Sequence, residues 1–220
     1  VEGVRQYLVG SIHGLRKWRQ KGVVGQFNAR EFDSQIADIV KTGRGSLGGK
    51  ARGLAFVANQ LRQSPKLFEK FKGIDIRIPA SLVITTEVFD AFIADNNLRL
   101  SDFVDQPDRR IAEAFAAAQL PQQVERDLAA YLAAVHYPIS VRSSSLLEDA
   151  HHQPLAGLYK TFMLPNSHSD DGIRLERLIS AIKQVFASTW FEEPRRYARS
   201  TVYRHRKEQM AVLIQQIAGR

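Results

Sequence analysis

Thr42-Gly43-Arg44-Gly45-Ser46-Leu47-Gly48-Gly49-Lys50 sets four glycines ahead of a lysine, and an amphipathic stripe begins directly behind it. Leu54, Val57, Ala58 and Leu61 recur at i, i+3, i+4 and i+7, which predicts a helix starting close to Lys50. Gly43, Gly45 and Gly48 meet the G-x-G-x-x-G spacing. A dinucleotide fingerprint also needs a strand immediately before it. Residues 33–41 read instead as a helix capped by Asp33 or Ser34 and carrying Ile36, Ile39 and Val40. The Walker pattern fails as well, because only three residues separate Gly45 from Gly49 and Ala51 stands where a magnesium-binding hydroxyl would be. The physics of the run still favours an anion. Glycines let backbone N–H groups approach a phosphate, a helix N-terminus adds partial positive charge, and Lys50 supplies a full one. The competing reading is a flexible helix-entry loop with a solvated lysine.

Downstream, Ile74 to Ile84 reads as a strand leading through Thr85 and Thr86 into a helix with Val88, Phe89, Phe92 and Ile93. Residues 109–135 read as two helices broken at Pro121, the second presenting Val124, Leu128, Tyr131, Leu132 and Val135 on one face. His136 to Val141 is a short β-type run, and Arg142 at its C-terminal end is followed by Ser143, Ser144 and Ser145, then Glu148 and Asp149. A planar guanidinium flanked by hydroxyl and backbone donors suits polyphosphate; the plainer alternative is a surface ion pair with turn hydroxyls. Tyr159 to Leu164 predicts another strand, Leu175 to Phe186 a helix, and Met210 to Ile217 a closing strand. Residues 1–21 carry Val4, Leu8, Ile12, Leu15 and Trp18 at helical spacing.

The 220 residues, 44% of them hydrophobic, suffice for a real core. No run approaches the roughly 18 apolar residues of a membrane span, and the start lacks a secretory pattern. With no cysteine, disulfides, thiolate nucleophiles and cysteine metal sites are excluded, and the chain reads as cytoplasmic. The net charge of +8 gathers at the ends, +4 within residues 1–22 and +4 within residues 192–220, leaving the middle neutral. Such tracts are first of all solvated faces, and charge alone does not separate a nucleotide from a nucleic acid. Both ends look cut from a longer chain.

Taken in order, Leu47-Gly48-Gly49-Lys50, Ile78-Pro79 with Ile84-Thr85-Thr86, Val141-Arg142-Ser143-Ser144 with Glu148-Asp149, and Ala156-Gly157 with Thr161-Phe162 form a specific combination. The chain resembles the N-terminal ATP-binding domain of the phosphoenolpyruvate synthase and pyruvate phosphate dikinase family. The resemblance runs from about Ser46 to Gln216 and includes Val185-Phe186-Ala187-Ser188 and Tyr197. It implies an α+β, ATP-grasp-like nucleotide-binding domain, present in part, over residues 41–220, preceded by an N-terminal helical extension over residues 1–40.

The resemblance further implies that Lys50 and Arg142 act as catalytic phosphate clamps. Gly48, Gly49, Ser143, Gly157, Thr161 and Arg195 would complete the ATP site, with Gly157 and Thr161 in a loop that closes over the phosphates. ATP would be the ligand, and magnesium would be held by acidic residues beyond residue 220, none within the chain. The phosphoryl group would pass to a histidine on a separate downstream domain, then to an acceptor, pyruvate first among the candidates. The chain alone would turn over little or no ATP. Membrane and nucleic acid are not implied as partners.

The chain departs from the family at Ala80-Ser81-Leu82, where proline, glycine and an aromatic are usual, and Glu192-Glu193-Pro194 disturbs the register around Arg195 and Arg196. His151 and His152 are not equated with the phosphorylated histidine, and adjacent histidines rarely converge on one metal ion. A regulatory or interaction module that kept the fold without the chemistry is the alternative. Paired acidic residues and a histidine in a glycine- or threonine-rich segment further along the chain would separate the enzyme from the module.

Overall fold

Met210–Gln216 opens with five consecutive apolar residues, and it takes the position that such a strand requires, inside a sheet with helices on both faces. The computed structural model describes residues 24–34, 38–71, 73, 74, 76–145, 157–199 and 209–219. Six strands form one sheet: β1 (Val24–Gln26), β2 (Ile39–Thr42), β3 (Ser81–Ile84), β4 (Ile139–Ser145), β5 (Thr161–Leu164) and β6 (Met210–Gln216). Their order is β1-β2-β3-β6-β4-β5. The pairs β1–β2 and β2–β3 are parallel, whereas β6 runs antiparallel to both β3 and β4, and β5 antiparallel to β4.

Alternation along the strands sorts the side chains into two layers. Ile39, Val83, Ala211 and Leu213 point to the face covered by α1 (Gly48–Gln63), where they meet Ala51 and Leu54. Val40, Leu82, Ile84, Ile139, Val141, Val212 and Ile214 point to the other face. That face is covered by α3 (Thr86–Asp95), α4 (Asp108–Ala117), α5 (Gln122–Ala134) and α6 (Asp171–Ser188). A cluster of rings, Phe89, Phe92, Phe115, Phe186 and Trp190, fills the centre of this second layer. The short α2 (Pro65–Lys70) follows α1, and α7 (Glu192–Arg199) follows α6.

The two helices broken at Pro121, the helix after Thr85 and the stripe from Leu175 to Phe186 form as expected. Three expectations are corrected. The helix read over residues 33–41 is not formed: Ile39–Thr42 is β2, and residues 35–37 lie outside the described residues. In so short a run the spacing of Ile36, Ile39 and Val40 mimics a helical stripe, while Ile39 and Val40 in fact face opposite layers. The strand expected from Ile74 is confined to Ser81–Ile84, since Pro79 cannot donate to a ladder. Arg142 is not at a strand end; it is the fourth of seven residues in β4, because β6 continues to pair through Ser145. β1 and β2 belong to the same sheet as the later strands. The helix expected over residues 1–21 lies outside the described residues.

Candidate functional site

With β2 in place of a helix, the glycine run becomes a strand, loop and helix unit: Thr42 ends β2 and Gly48 begins α1. The loop is held from both sides. On the α3 side, the Arg44 N–H donates to the Glu87 carboxylate at 2.5 Å and the Ser46 N–H to the Thr86 hydroxyl at 3.0 Å. The Thr86 N–H returns a bond to the Ser46 carbonyl at 3.0 Å, and the Thr85 N–H donates to the Thr42 carbonyl at 3.1 Å. A Cβ on Gly45 would lie 2.6 Å from the Glu87 nitrogen, so only glycine allows the loop to come this close. The flexible-loop reading does not describe this geometry.

On the β4 side the contact is closer still. Gly48 has φ +74°, and a methyl group there would overlap the Ser144 carbonyl. The Ser144 hydroxyl, buried with its residue, donates to the Leu47 carbonyl at 2.8 Å and accepts from the Ala51 N–H at 3.1 Å. The start of α1 is therefore seated directly on β4. Its first turn carries no acidic residue, and although the Ser46 hydroxyl accepts the Gly48 N–H at 3.3 Å, no negative charge of the helix offsets its positive end.

Lys50, one residue before Ala51, turns to the same strand: its ammonium donates to the Ser143 carbonyl at 3.3 Å and to the Ser143 hydroxyl at 3.5 Å. Arg142 precedes Ser143 and is half-buried, and its guanidinium has no hydrogen-bond or ion-pair partner among the described residues. By register Arg142 lies between Leu213 of β6 and Thr161 of β5 and shares their face, which is the face of α1. Thr161 is exposed there, as is Met163 two residues on, so the α1 layer leaves this end of the sheet open.

Of the expected site residues, Gly48, Gly49, Lys50, Arg142, Ser143 and Thr161 are thus brought to one place. Gly157 is exposed with φ +82° and has open space around it, four residues ahead of Thr161. Arg195 is not brought there. Its guanidinium donates to the carbonyls of Phe103 at 2.9 Å and Val104 at 2.8 Å, and Phe103 stacks on Trp190 in the layer behind the sheet. A guanidinium occupied by two carbonyls on the far side of the sheet cannot clamp a phosphate beside Lys50. Glu148, Asp149, His151, His152 and Ala156 lie outside the described residues. Ser144 enters the sequence reading only within the Val141-Arg142-Ser143-Ser144 motif, with no role of its own. Its signal was its position two beyond Arg142, on the same face of a strand.

The family described as pyruvate phosphate dikinase, AMP/ATP-binding domain, matches residues 44–220. The chain belongs to this family. The match covers most of the chain and begins inside the glycine loop, so the seat of α1 on β4 is part of an AMP/ATP-binding domain of the dikinase type. The mixed α+β architecture, with one six-stranded sheet, is that of an ATP-grasp-like nucleotide-binding domain present in part. Among the described residues no helix is long and apolar enough to cross a membrane. No group of three or more His, Asp or Glu side chains among them could hold a metal ion.

Proposed function

We propose that this AMP/ATP-binding domain grips the phosphates of ATP between Lys50 and Arg142 and serves phosphoryl transfer to a histidine on a separate domain. The observation that carries this reading is the convergence on one stretch of β4 of a helix N-terminus with no acidic residue, the Lys50 ammonium and the half-buried Arg142 guanidinium, which has no ion-pair partner among the described residues. Transfer of a phosphoryl group asks for positioning and charge neutralisation rather than a protein nucleophile, and this stretch supplies both. Arg142 meets two phosphate oxygens with its planar fork, while Lys50 acts as a point charge beside the N–H groups of α1. Ser143 fixes Lys50, and Gly49 keeps the helix end free of side-chain bulk. Thr161 stands at the open rim, and the chain around Gly157 covers the phosphates.

Magnesium accompanies ATP in this reading. Among the described residues no group of three or more His, Asp or Glu side chains could hold the ion. The ion, the histidine that receives the phosphoryl group and the pocket for a final acceptor, pyruvate first among them, are assigned to chain beyond these residues. Such an enzyme works where ATP is abundant, in the cytoplasm.

Calorimetric titration of the full chain with ATP tests the clamp. Lys50→Ala and Arg142→Ala should each weaken ATP binding by about tenfold to a hundredfold, the loss of a charge-assisted hydrogen bond being about 1.5–3 kcal/mol. In a protein that joins this domain to the histidine-bearing one, labelled ATP should leave its label on a histidine outside residues 1–220, stable to base and lost in acid. Unchanged affinity in both variants would remove Lys50 and Arg142 from the site.

A further inference from the structure

The hydroxyl of Ser144 stands between two groups that normally bond each other. Leu47 and Ala51 are four residues apart, and in an α-helix entered at Leu47 the Ala51 N–H would close on the Leu47 carbonyl as the first rung of the ladder. Ser144 bridges that rung, donating to the carbonyl at 2.8 Å and accepting from the N–H at 3.1 Å. A polar group inserted into the ladder holds the turn open and re-aims it. The turn concerned carries Gly48, Gly49 and Lys50. The strand that supplies the hydroxyl carries Arg142 and Ser143, and Arg142 shares the face of Ser144 because the two are a strand period apart.

We infer that Ser144 is a positioning residue that sets the spacing between Lys50 and Arg142 by wedging open the first turn of α1. The inference rests on the reading of Lys50 and Arg142 as the phosphate clamp. Three features separate it from ordinary packing. Ser144 is wholly buried, so its hydroxyl is not a surface ornament. Gly48 lies against the Ser144 backbone at a spacing that admits no Cβ, so the first turn of α1 takes its seat from β4. And Ser144→Ala leaves a simple alternative: the Ala51 N–H can close on Leu47 itself, which satisfies both groups within α1 while drawing the turn with Lys50 away from β4. The fold would survive that change, whereas the clamp would not keep its span.

Binding to the full chain discriminates the possibilities, with ATP, inorganic tripolyphosphate and adenosine as separate probes in wild type, Ser144→Ala, Ser144→Thr, Lys50→Ala and Arg142→Ala. Ser144→Ala should weaken ATP and tripolyphosphate in parallel by about tenfold, the scale of one misplaced charge-assisted bond, while adenosine changes by less than about twofold. Ser144→Thr restores the hydroxyl and should recover most of the affinity for both phosphate probes. In the Ser144→Ala background, removing Lys50 should cost less than it does in wild type, because the clamp has already lost its span. The inference is overturned if Ser144→Ala leaves ATP unchanged while Lys50→Ala and Arg142→Ala weaken it. It is equally overturned if adenosine falls by the same factor as tripolyphosphate, which marks general loss of the fold. Should Lys50→Ala and Arg142→Ala both leave tripolyphosphate binding untouched, the clamp reading itself fails and takes the role of Ser144 with it.

Discussion

At Gly48 two demands meet in one residue: a left-handed backbone with φ +74° and contact with the Ser144 carbonyl at a distance no Cβ permits. Gly48→Ala therefore carries both a conformational penalty and a steric one, and relief requires α1 to lift from β4. The expected loss of stability is at least about 2 kcal/mol, read from chemical denaturation of the variant. ATP affinity should fall with it, because the helix that lifts is the one that carries Lys50. At this scale much was legible in advance. Lys50 and Arg142 declare themselves as cations beside glycines and serines, and they do meet at one strand. What the chain did not announce was the hydroxyl of Ser144, since nothing in a run of three serines says which one faces a helix 93 residues away. Arg195 misled for the complementary reason. A cation at a plausible distance along the chain carries no mark of the two carbonyls that occupy it.

Among the elements, α5 and α6 are joined by a buried arginine. Arg174 of α6 is 3% exposed and donates to the Leu132 carbonyl at 3.1 Å and the Val135 carbonyl at 3.0 Å, covering the C-terminal end of α5. It also meets the Asn166 side-chain oxygen at 3.2 Å and the Asp171 carboxylate at 2.6 Å. A cation at a helix C-terminus is favoured by the dipole, and Arg174 adds a charged donor to carbonyls that also accept from the Val135 N–H and the Asn166 amide. Arg174→Ala strips these bonds at once and should cost about 1–3 kcal/mol in thermal or denaturant unfolding, the scale on which buried carbonyls lose a charged donor. The partner Asp171 is itself exposed. The hydrogen bond from Arg174, aided by its charge, holds the Asp171 carboxyl below the usual aspartate range. A carboxyl depressed in the folded state favours folding above its unfolded pKa and loses that contribution as pH falls through the folded one. Melting temperature should thus decline below about pH 4, and Asp171→Asn should flatten that part of the profile. The same scale shows where periodicity misleads. A long stripe such as Leu175 to Phe186 left no room for another reading, whereas the four residues of β2 are too few to separate a period of two from one of 3.6. The extent of β4 was hidden for a different reason: only pairing with β6 turns three serines into strand.

For the molecule as a whole, the decisive strand is β6. It pairs with β3 through four residue pairs and with β4 through seven, joining the parallel half of the sheet to the antiparallel half. Its side chains serve both layers, Val212 and Ile214 toward the helices behind the sheet, Ala211 and Leu213 toward α1. Removal of residues 209–219 would leave two unpaired edges in the middle of the sheet and open both layers to water. A chain ending at residue 208 should lose cooperative unfolding altogether, with no sharp melting transition in calorimetry. Sheet order of this kind is the part of the architecture that no local pattern reveals. The apolar run within Met210–Gln216 identifies a buried strand, yet its neighbours are set by contacts across the whole chain.

The placement of β6 also bears on how the protein is made. Roughly 65 residues separate the end of β4 at Ser145 from the start of β6 at Met210, and at about 5–20 residues per second a ribosome needs on the order of 3–13 s to supply them. Through that interval the growing chain holds β3 and β4 with no strand between them, and the half-built cores present Leu82, Ile84, Ile139 and Val141 to water. The nascent polypeptide is then at its most adhesive, and the seconds before β6 emerges are when a holding chaperone has most to offer.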